Sequence, residues 1–268
     1  MGNALFDLSG HRALVTGGTQ GVGAVVSRAI AAAGADVLIH GLKKDAAADQ
    51  TLEACRGEGV EAEIICQDLA KPPVDYIDSM MDQINSIMPG IDLLVNNAGT
   101  YIDPPFLDLD YQCFQKTMHL NVHAGFFLTQ AFARDWIRKQ TKGRVLFTGS
   151  INGLLAEADH TAYDTSKGAV AAMVRSLCVS LAPQGIRVNS LAPGLVRTPL
   201  TDVLNQNQAL DSWMKLHTPN GAVPEADVCG GTAIYLLSDA ASHVHGQTIY
   251  VDGGMSIWQQ PDVPPNWI

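Results

Sequence analysis

The sequence has few basic residues and few aromatic residues. Only 17 Lys and Arg stand against 27 Asp and Glu, so the formal net charge is -10, and 6% of the residues are aromatic. Nucleic acid and anionic membrane surfaces are bound by a basic face, which this composition does not supply. We therefore expect neither as a partner. A small anionic ligand stays possible, because backbone N–H groups at a helix N-terminus bind phosphate without basic side chains.

The five cysteines are odd in number and scattered, and no two of them form a Cys-x-x-Cys pair. This excludes a disulfide framework of paired cysteines and gives no thiolate metal site, so we expect reduced thiols and no bound metal. The N-terminus lacks the basic region and apolar run of a signal peptide. No apolar run reaches the roughly 20 residues of a membrane span. The sequence therefore predicts a cytoplasmic protein that is not inserted in a membrane.

Apolar material is abundant, since 47% of the 268 residues are hydrophobic. Short apolar runs alternate with longer Ala-rich amphipathic stretches. The runs predict strands at 13–16, 36–40, 63–66, 93–95, 144–148, 187–190 and 248–251. The longer stretches predict helices at 21–33, 44–57, 74–88, 111–139, 162–182 and 225–238.

The predicted strands are continuously apolar, which is typical of a parallel sheet covered by helices on both faces. Repeated strand-then-helix units predict an α/β fold, a doubly wound Rossmann domain with a seven-stranded, mostly parallel sheet. No linker or shift in composition interrupts residues 1–268, so we expect one domain. The long segment 195–224, polar at its centre, is predicted to be a substrate lid. The Pro- and Trp-rich tail 255–268 is expected either to be disordered or to pack on a neighbouring subunit.

A glycine-rich turn, Thr16-Gly17-Gly18-Thr19-Gln20-Gly21-Val22-Gly23, joins the first strand to the first helix. Gly17 permits the tight turn, Gly21 lets the backbone approach a pyrophosphate, and Gly23 lets the helix pack closely on the strand. The free N–H groups and the dipole of the helix would hold the phosphates. Because a strand precedes this turn and a helix follows it, the sequence predicts dinucleotide binding.

Tyr163 and Lys167 are four residues apart in a predicted helix, so both side chains share one face. A free tyrosine has a pKa of about 10, and a neighbouring ammonium lowers it towards the range of a useful base. A pair at this spacing also occurs at plain helix starts. Two further residues accompany it here. Ser150 follows the strand 144–148 and can hydrogen-bond a substrate oxygen, while Asn121 inside the helix 111–139 can bind water, bend the helix or face solvent.

In order and spacing, Asn121, Ser150, Tyr163 and Lys167 resemble the catalytic tetrad of the short-chain dehydrogenase/reductase family. The resemblance runs from the glycine turn to Gly254. Four more segments at strand ends match family motifs: Asp68-Leu69, Asn96-Asn97-Ala98-Gly99, Pro193-Gly194-Leu195-Val196-Arg197-Thr198 and Val251-Asp252-Gly253-Gly254.

The resemblance implies an NAD(P)-dependent oxidoreductase that interconverts an alcohol and a ketone. It implies that Tyr163 is the acid–base group, Ser150 holds the substrate oxygen, Lys167 lowers the tyrosine pKa and binds the nicotinamide ribose, and Asn121 links Lys167 to water. The residues that it implies for cofactor binding are Gly17, Thr19, Gln20, Gly21, Val22, Gly23, Gly41, Lys43, Asp68, Leu69, Asn97, Ala98, Gly99, Tyr163, Lys167, Pro193, Gly194, Val196 and Thr198.

The choice between NADP and NAD depends on the end of the second strand. NAD-type relatives carry an acidic residue there for the adenosine ribose, and here Gly41 takes its place. Lys43 and Lys44 follow, and His40 if protonated would add positive charge towards a 2′-phosphate. Gln20 and Leu42 stand where NADP-type relatives often carry basic residues, which weakens the case. We expect NADP, with NAD left open.

The substrate is not chosen by the resemblance. A 3-oxoacyl-type or small carbonyl compound is expected, and a sugar or polyol is the alternative. Apolar candidates for the pocket lining are Tyr101, Ile102, Ile151, Leu154, Leu155, Trp213 and Met214, and polar candidates are Asn152, Glu157, Asp159 and His160. A homotetramer is implied, with helices 111–139 and 162–182 at the dimer face.

Two rival functions use the same fold. A catalytically silent dinucleotide sensor is disfavoured by the intact tetrad, because a pure binder does not need Lys167 beside Tyr163. A dehydratase or epimerase of sugar nucleotides usually needs a longer chain.

Overall fold

The computed structural model describes residues 4–102, 104–201 and 207–258. The strands are β1 (Arg12–Val15), β2 (Asp36–Gly41), β3 (Ala62–Cys66), β4 (Leu93–Asn96), β5 (Arg144–Thr148), β6 (Arg187–Pro193) and β7 (Thr248–Val251). The α-helices are α1 (Gly21–Ala32), α2 (Ala46–Gly57), α3 (Ile77–Ile87), α4 (Tyr111–Met118), α5 (Ala124–Lys139), α6 (Thr161–Leu181), α7 (Gln208–Leu216) and α8 (Val228–Leu237). In the described part of the chain, no helix is both long and apolar enough to cross a membrane.

The seven strands form one sheet in the order β3-β2-β1-β4-β5-β6-β7, and each neighbouring pair is parallel. β1 lies inside the sheet between β2 and β4, with Leu14 opposite Leu38 of β2 and Leu94 of β4. The chain order reverses between β1 and β4, and ligands bind outside the carboxyl ends of strands at such a point. The predicted doubly wound parallel sheet is confirmed.

The core has two apolar layers, one on each face of the sheet. Leu14 packs in the same layer as Trp136 of α5, whereas its neighbours Ala13 and Val15 pack in the layer that contains Ile30 of α1. Side chains of β1 therefore alternate between two buried layers rather than between core and solvent. This is the reason why the strand is apolar at successive positions.

The predicted continuous helix at 111–139 is wrong. α4 ends at Met118, a π-helical turn covers His119–His123, and α5 begins at Ala124. Asn121 lies within this turn, and its side chain is hydrogen-bonded to the backbone of Thr100 instead of facing solvent. Such turns interrupt the regular helical ladder and are frequent at functional sites.

The predicted lid at 195–224 contains a helix that its polar composition concealed. α7 begins after Asn207, whose side-chain oxygen accepts a hydrogen bond from Leu210 N at 3.0 Å. Asp211 of α7 pairs with Arg197 and with Lys215. Residues 202–206 of the predicted lid and 259–268 of the predicted tail lie outside the described residues.

Candidate active site

The glycine turn has the backbone geometry that its sequence predicts. Gly17 and Gly21 have φ angles of +60° and +55°, a region that favours glycine. A Cβ on Gly23 would lie 2.1 Å from the carbonyl oxygen of Gly17, so no larger residue fits there. The first turn of α1 carries no acidic residue, and Gln20 makes no side-chain cap. This arrangement fits the pyrophosphate of a dinucleotide.

Asn97 fixes the glycine turn to the neighbouring strands. Its Nδ2 donates to the carbonyl oxygens of Thr16 and Gly17 at 3.0 and 3.1 Å, and its Oδ1 accepts from Thr148 Oγ1 at 3.0 Å. Thr16 Oγ1 accepts from the backbone N–H of Asn97 and of Ala98. The ends of β1, β4 and β5 are therefore held together at the centre of the crevice.

His40 does not have the predicted role of a cation near a 2′-phosphate. It is 3% exposed, its Nδ1 accepts from Gly17 N at 3.1 Å, and its Nε2 donates to the carbonyl oxygen of Gln67 at 2.9 Å. These bonds require the neutral ring protonated on Nε2. Burial lowers the pKa of His40 to about 4, so the ring stays neutral at physiological pH and braces the glycine turn instead.

This arrangement predicts acid sensitivity that His40→Asn relieves. The unfolded chain protonates His40 near its ordinary pKa of 6.5 and the folded chain near 4, so folding stability falls as the pH drops through that window. Between pH 7 and pH 5 the wild type should lose about 2 kcal/mol through this group. Urea unfolding at both values should show a smaller loss for His40→Asn, whose amide can keep one donor and one acceptor. Equal losses in the two proteins would refute the assignment.

Gly41 and the lysines after it form the rim next to the turn. A Cβ on Gly41 would lie 2.7 Å from Thr19 Cγ2, so Thr19 fills the space in which an acidic side chain would begin. Lys43 Nζ is 3.7 Å from Asp45, and Lys44 Nζ is 3.6 Å from Asp49. Exposed ion pairs of this kind are weak, so both lysines can exchange their partner for a phosphate.

Tyr163 and Lys167 meet on one face of α6, as their spacing predicts. Lys167 Nζ lies 5.5 Å from the centroid of the Tyr163 ring and donates to the carbonyl oxygen of Thr148 at 2.9 Å. Lys167 is buried, and this burial lowers its pKa from 10.5 to about 8. The end of β5 thus anchors the ammonium beside the phenol ring.

Asn121 contacts α6 through Ser166, whereas the family resemblance implies a link through water to Lys167. Its Nδ2 donates to Thr100 O at 3.0 Å and to Ser166 Oγ at 2.9 Å, and its Oδ1 accepts from Thr100 N at 2.8 Å. Ser166 Oγ in turn donates to the carbonyl oxygen of Tyr163 at 2.7 Å. Thr100 and Ser166 were missed in the sequence, because single hydroxyl residues beside a motif carry no pattern of their own.

Ser150 lies two residues after the end of β5 and caps a short 3-10 turn, Ile151–Gly153. Its hydroxyl contacts both the N–H and the side-chain oxygen of Asn152. Asn152 is buried, with its amide bonded to Glu157 and Asp164, so its predicted place as a polar group for substrate recognition is wrong. Asp164 was missed because an acidic residue in the first turn of a helix is common without any role in a site.

Tyr101 and His160 form an aromatic wall next to Tyr163. The Tyr101 ring meets the Tyr163 ring edge-on, with 5.4 Å between centroids, and its hydroxyl is hydrogen-bonded to His160 Nε2. Glu157 lies 3.7 Å from the same nitrogen. Nearby in the chain, Ile102, Leu154 and Leu155 are exposed apolar side chains. The mouth of the site therefore offers both polar and apolar contacts.

The segment after β6 faces the glycine turn. A Cβ on Gly21 would lie 3.5 Å from Thr198 Cβ, and one on Gly194 would lie 2.7 Å from Asp252 Cβ. The Asp252 carboxylate accepts from the N–H groups of Gly254 and Ser256. The 251–254 motif thus supports the 193–198 segment from behind.

The remaining predicted cofactor residues lie at the same edge of the sheet. Asp68 follows β3 and accepts a hydrogen bond from Ala70 N at 3.0 Å, whereas the Leu69 side chain is buried in the core and leaves its backbone for a ligand. A Cβ on Gly99 would lie 3.3 Å from Asn121 Oδ1. Predicted residues from five strand ends are therefore gathered in one crevice.

Comparison with known proteins agrees with this geometry. A family profile described as enoyl-(acyl carrier protein) reductase matches residues 17–256. The 5-keto-D-gluconate 5-reductase of Escherichia coli is 31% identical over 95% of this chain and 99% of its own length. The 3-oxoacyl-[acyl-carrier-protein] reductase of Aquifex aeolicus is 31% identical over 92% of this chain and 98% of its own.

A solved structure extends the agreement to three dimensions. Gluconate 5-dehydrogenase of Burkholderia cenocepacia, in complex with NADP and tartrate, superposes with a TM-score of 0.87 and is 32% identical. The match covers 94% of this chain and 98% of that one. With the profile, the relatives and the fold in agreement, the chain belongs to the short-chain dehydrogenase/reductase family and is an NAD(P)-dependent oxidoreductase of alcohols and ketones.

Proposed function

We propose that Tyr163 is the acid–base group of the reaction and that Ser150, Lys167 and Asn121 serve it. The observation that carries this proposal is the position of Lys167 Nζ, which lies 5.5 Å from the Tyr163 ring and bonds to Thr148 at the end of β5, two residues before Ser150 in the chain. The residues of the glycine turn, the rim and the 193–198 segment would hold the dinucleotide, whose nicotinamide supplies or accepts the hydride when bound.

During oxidation, the Tyr163 phenolate takes the proton of the substrate hydroxyl, and during reduction the phenol returns it. Ser150 donates a hydrogen bond to the substrate oxygen and stabilises the charge that develops there. The Lys167 ammonium favours the phenolate over the phenol, because an opposite charge nearby lowers a pKa. The Asn121 side chain is bonded to Thr100 and Ser166. The group of Asn121 that would bind the water between Lys167 and bulk solvent is therefore its backbone carbonyl in the π-helical turn.

For the substrate, we favour a small hydroxylated ketone or its alcohol over a 3-oxoacyl thioester. The wall residues Tyr101 and His160, together with the neighbouring Glu157, carry polar atoms suited to substrate hydroxyl groups. The gluconate-related names of two of the relatives agree with this choice.

Initial rates with a matched pair of substrates test this choice. We expect kcat/KM for a hydroxylated ketone such as a keto-sugar acid or ketose to exceed that for an acetoacetyl thioester by at least about tenfold, a difference of 1.4 kcal/mol in transition-state binding. The reverse order would overturn the substrate proposal and leave the acid–base assignment in place.

For the cofactor, we propose a preference for NADPH that depends in part on Lys43. The acidic side chain that would select NADH has no room beside Thr19, and Lys43 is exposed at the same rim. Replacing Lys43 by Ala should raise the dissociation constant of NADPH about two- to fivefold, the size expected for one exposed ion pair. The dissociation constant of NADH should not change.

Fluorescence titration of both cofactors measures this difference. Lys139→Ala is the matched control, because Lys139 ends α5 shortly before β5 begins, away from the carboxyl ends of the strands, and pairs with Asp135. Tighter binding of NADH than of NADPH by the wild type would contradict the preference.

We also propose that the chain forms homotetramers. Phe126 and Phe127 of α5 and Val179 of α6 are exposed apolar side chains on the two helices expected at the dimer face. Sedimentation at micromolar concentration tests this proposal, and a monomer would refute it. The cytoplasmic location stays a prediction from the sequence.

A further inference from the structure

A polar network lies beside Ser150, with the buried Asn152 at its centre. Ser150 Oγ accepts a hydrogen bond from Asn152 N at 3.1 Å and donates one to Asn152 Oδ1 at 3.3 Å. Asn152 is 7% exposed, so its amide has little water to exchange these bonds with. Its side chain therefore has to be satisfied by protein groups.

Two carboxylates determine which way the Asn152 amide faces. Asn152 Nδ2 donates to Asp164 Oδ1 at 2.8 Å and to Glu157 Oε1 at 3.1 Å. An ionised carboxylate only accepts hydrogen bonds, so the amide nitrogen must face these two groups and the amide oxygen must face Ser150. The other oxygen of Asp164 accepts from Glu157 N at 2.9 Å, which closes the loop onto the start of α6.

This orientation restricts the Ser150 hydroxyl. A serine hydroxyl offers one hydrogen to donate and two lone pairs to accept with. Asn152 takes the hydrogen and one lone pair, and the second lone pair is left for a substrate. The bond to Asn152 Oδ1 is long for an O–H donor and hence weak, so the hydroxyl can redirect this hydrogen bond to a substrate oxygen at small cost.

We propose that Asn152, oriented by Asp164 and Glu157, is a positioning residue that sets the rotamer of the Ser150 hydroxyl. The inference rests on the proposed role of Ser150 and adds to it the group that prepares Ser150 before the substrate arrives. Placement of a reacting group governs rate more than binding, and small displacements can cost up to about 100-fold. Asn152→Ala should therefore lower kcat about tenfold and leave the dissociation constant of NADPH unchanged.

A double-mutant cycle separates positioning from a general structural effect. If Asn152 acts through Ser150, Asn152→Ala should lower kcat about tenfold in the wild type and less than twofold in a Ser150→Ala background. Equal losses in both backgrounds would overturn the proposal. Asn85→Ala is the matched control, because Asn85 bonds to the carbonyl oxygen of Met81 on α3, away from the site, and should leave kcat unchanged.

Asp164→Asn gives a second variant in case Asn152→Ala does not fold. An amide at position 164 can donate as well as accept, so the Asn152 amide is no longer held in one orientation, although the shape of the site is kept. We expect a smaller loss of kcat, about threefold, which also disappears in the Ser150→Ala background. A loss of the same size in that background would count against the network.

Crystal structures distinguish failure of this inference from failure of the proposed function. Absence of turnover in the wild type would refute the proposed function, and the position of Ser150 Oγ would still test the network. The wild type should show one Ser150 rotamer, and Asn152→Ala should show more than one. The same single rotamer in both proteins would overturn the inference.

Discussion

Replacing Tyr163 by Phe should lower kcat about 1,000-fold, within the 10²- to 10⁴-fold range of general acid–base catalysis. The variant lacks the group that transfers the proton but keeps the ring. The Tyr163 ring packs edge-on against Tyr101 and lies 5.5 Å from Lys167 Nζ, contacts that phenylalanine can also make. We therefore expect the fold and the dissociation constant of NADPH to stay close to those of the wild type.

Steady-state rates in both directions, together with NADPH titration, test this prediction. Tyr235→Phe is the matched control, since Tyr235 lies on α8 and packs near the Phe6 ring instead of facing the crevice. The control should keep the wild-type rate. A Tyr163→Phe protein within tenfold of the wild type would show that another group transfers the proton.

Replacing Lys167 by Met should give a protein that is more stable and far less active. Burial lowers the pKa of Lys167 from 10.5 to about 8, so keeping it charged at pH 7 costs about 3 kcal/mol. Methionine fills similar space without charge, although Thr148 O loses its donor at a cost of about 1–2 kcal/mol. The free energy of unfolding should rise by about 1–2 kcal/mol, while kcat should fall at least about 100-fold.

The pH dependence of this gain has a definite sign. The folded pKa is the lower one, so between about 8 and 10.5 the unfolded chain binds more protons, and the stability of the wild type rises with pH. The advantage of Lys167→Met should shrink by about 2 kcal/mol between pH 7 and pH 9.5 in urea unfolding. The control Lys142→Met, which replaces an exposed lysine, should show no such change in stability between the two pH values. A destabilised Lys167→Met protein would contradict this account of Lys167.

The parts of the fold that follow from periodicity could be predicted from the sequence. β1 is apolar at successive positions because both faces of a parallel sheet are buried, and the alternation of strands and helices predicts a doubly wound sheet. Tyr163 and Lys167 could be paired because the spacing of four residues is a property of the helix itself. Both inferences use geometry that is local in the chain.

The features that could not be predicted depend on contacts between distant segments. His40 is neutral because Gly17 and Gln67 close around it, and nothing near position 40 in the sequence shows this. The π-helical turn at Asn121 depends on the backbone of Thr100, which lies in another loop. The sequence allows a protonated His40 and leaves the role of Asn121 open, and it is the hydrogen bonds of these two buried side chains that decide their roles.

Turnover by the wild-type protein tests the central claim most directly. Reduced nicotinamide absorbance should fall with time when NADPH and a panel of hydroxylated ketones are added, and the fall should vanish with Tyr163→Phe. Binding of NADPH without consumption of any ketone in the panel, with either cofactor, would contradict the claim and favour a protein that senses the dinucleotide without using it.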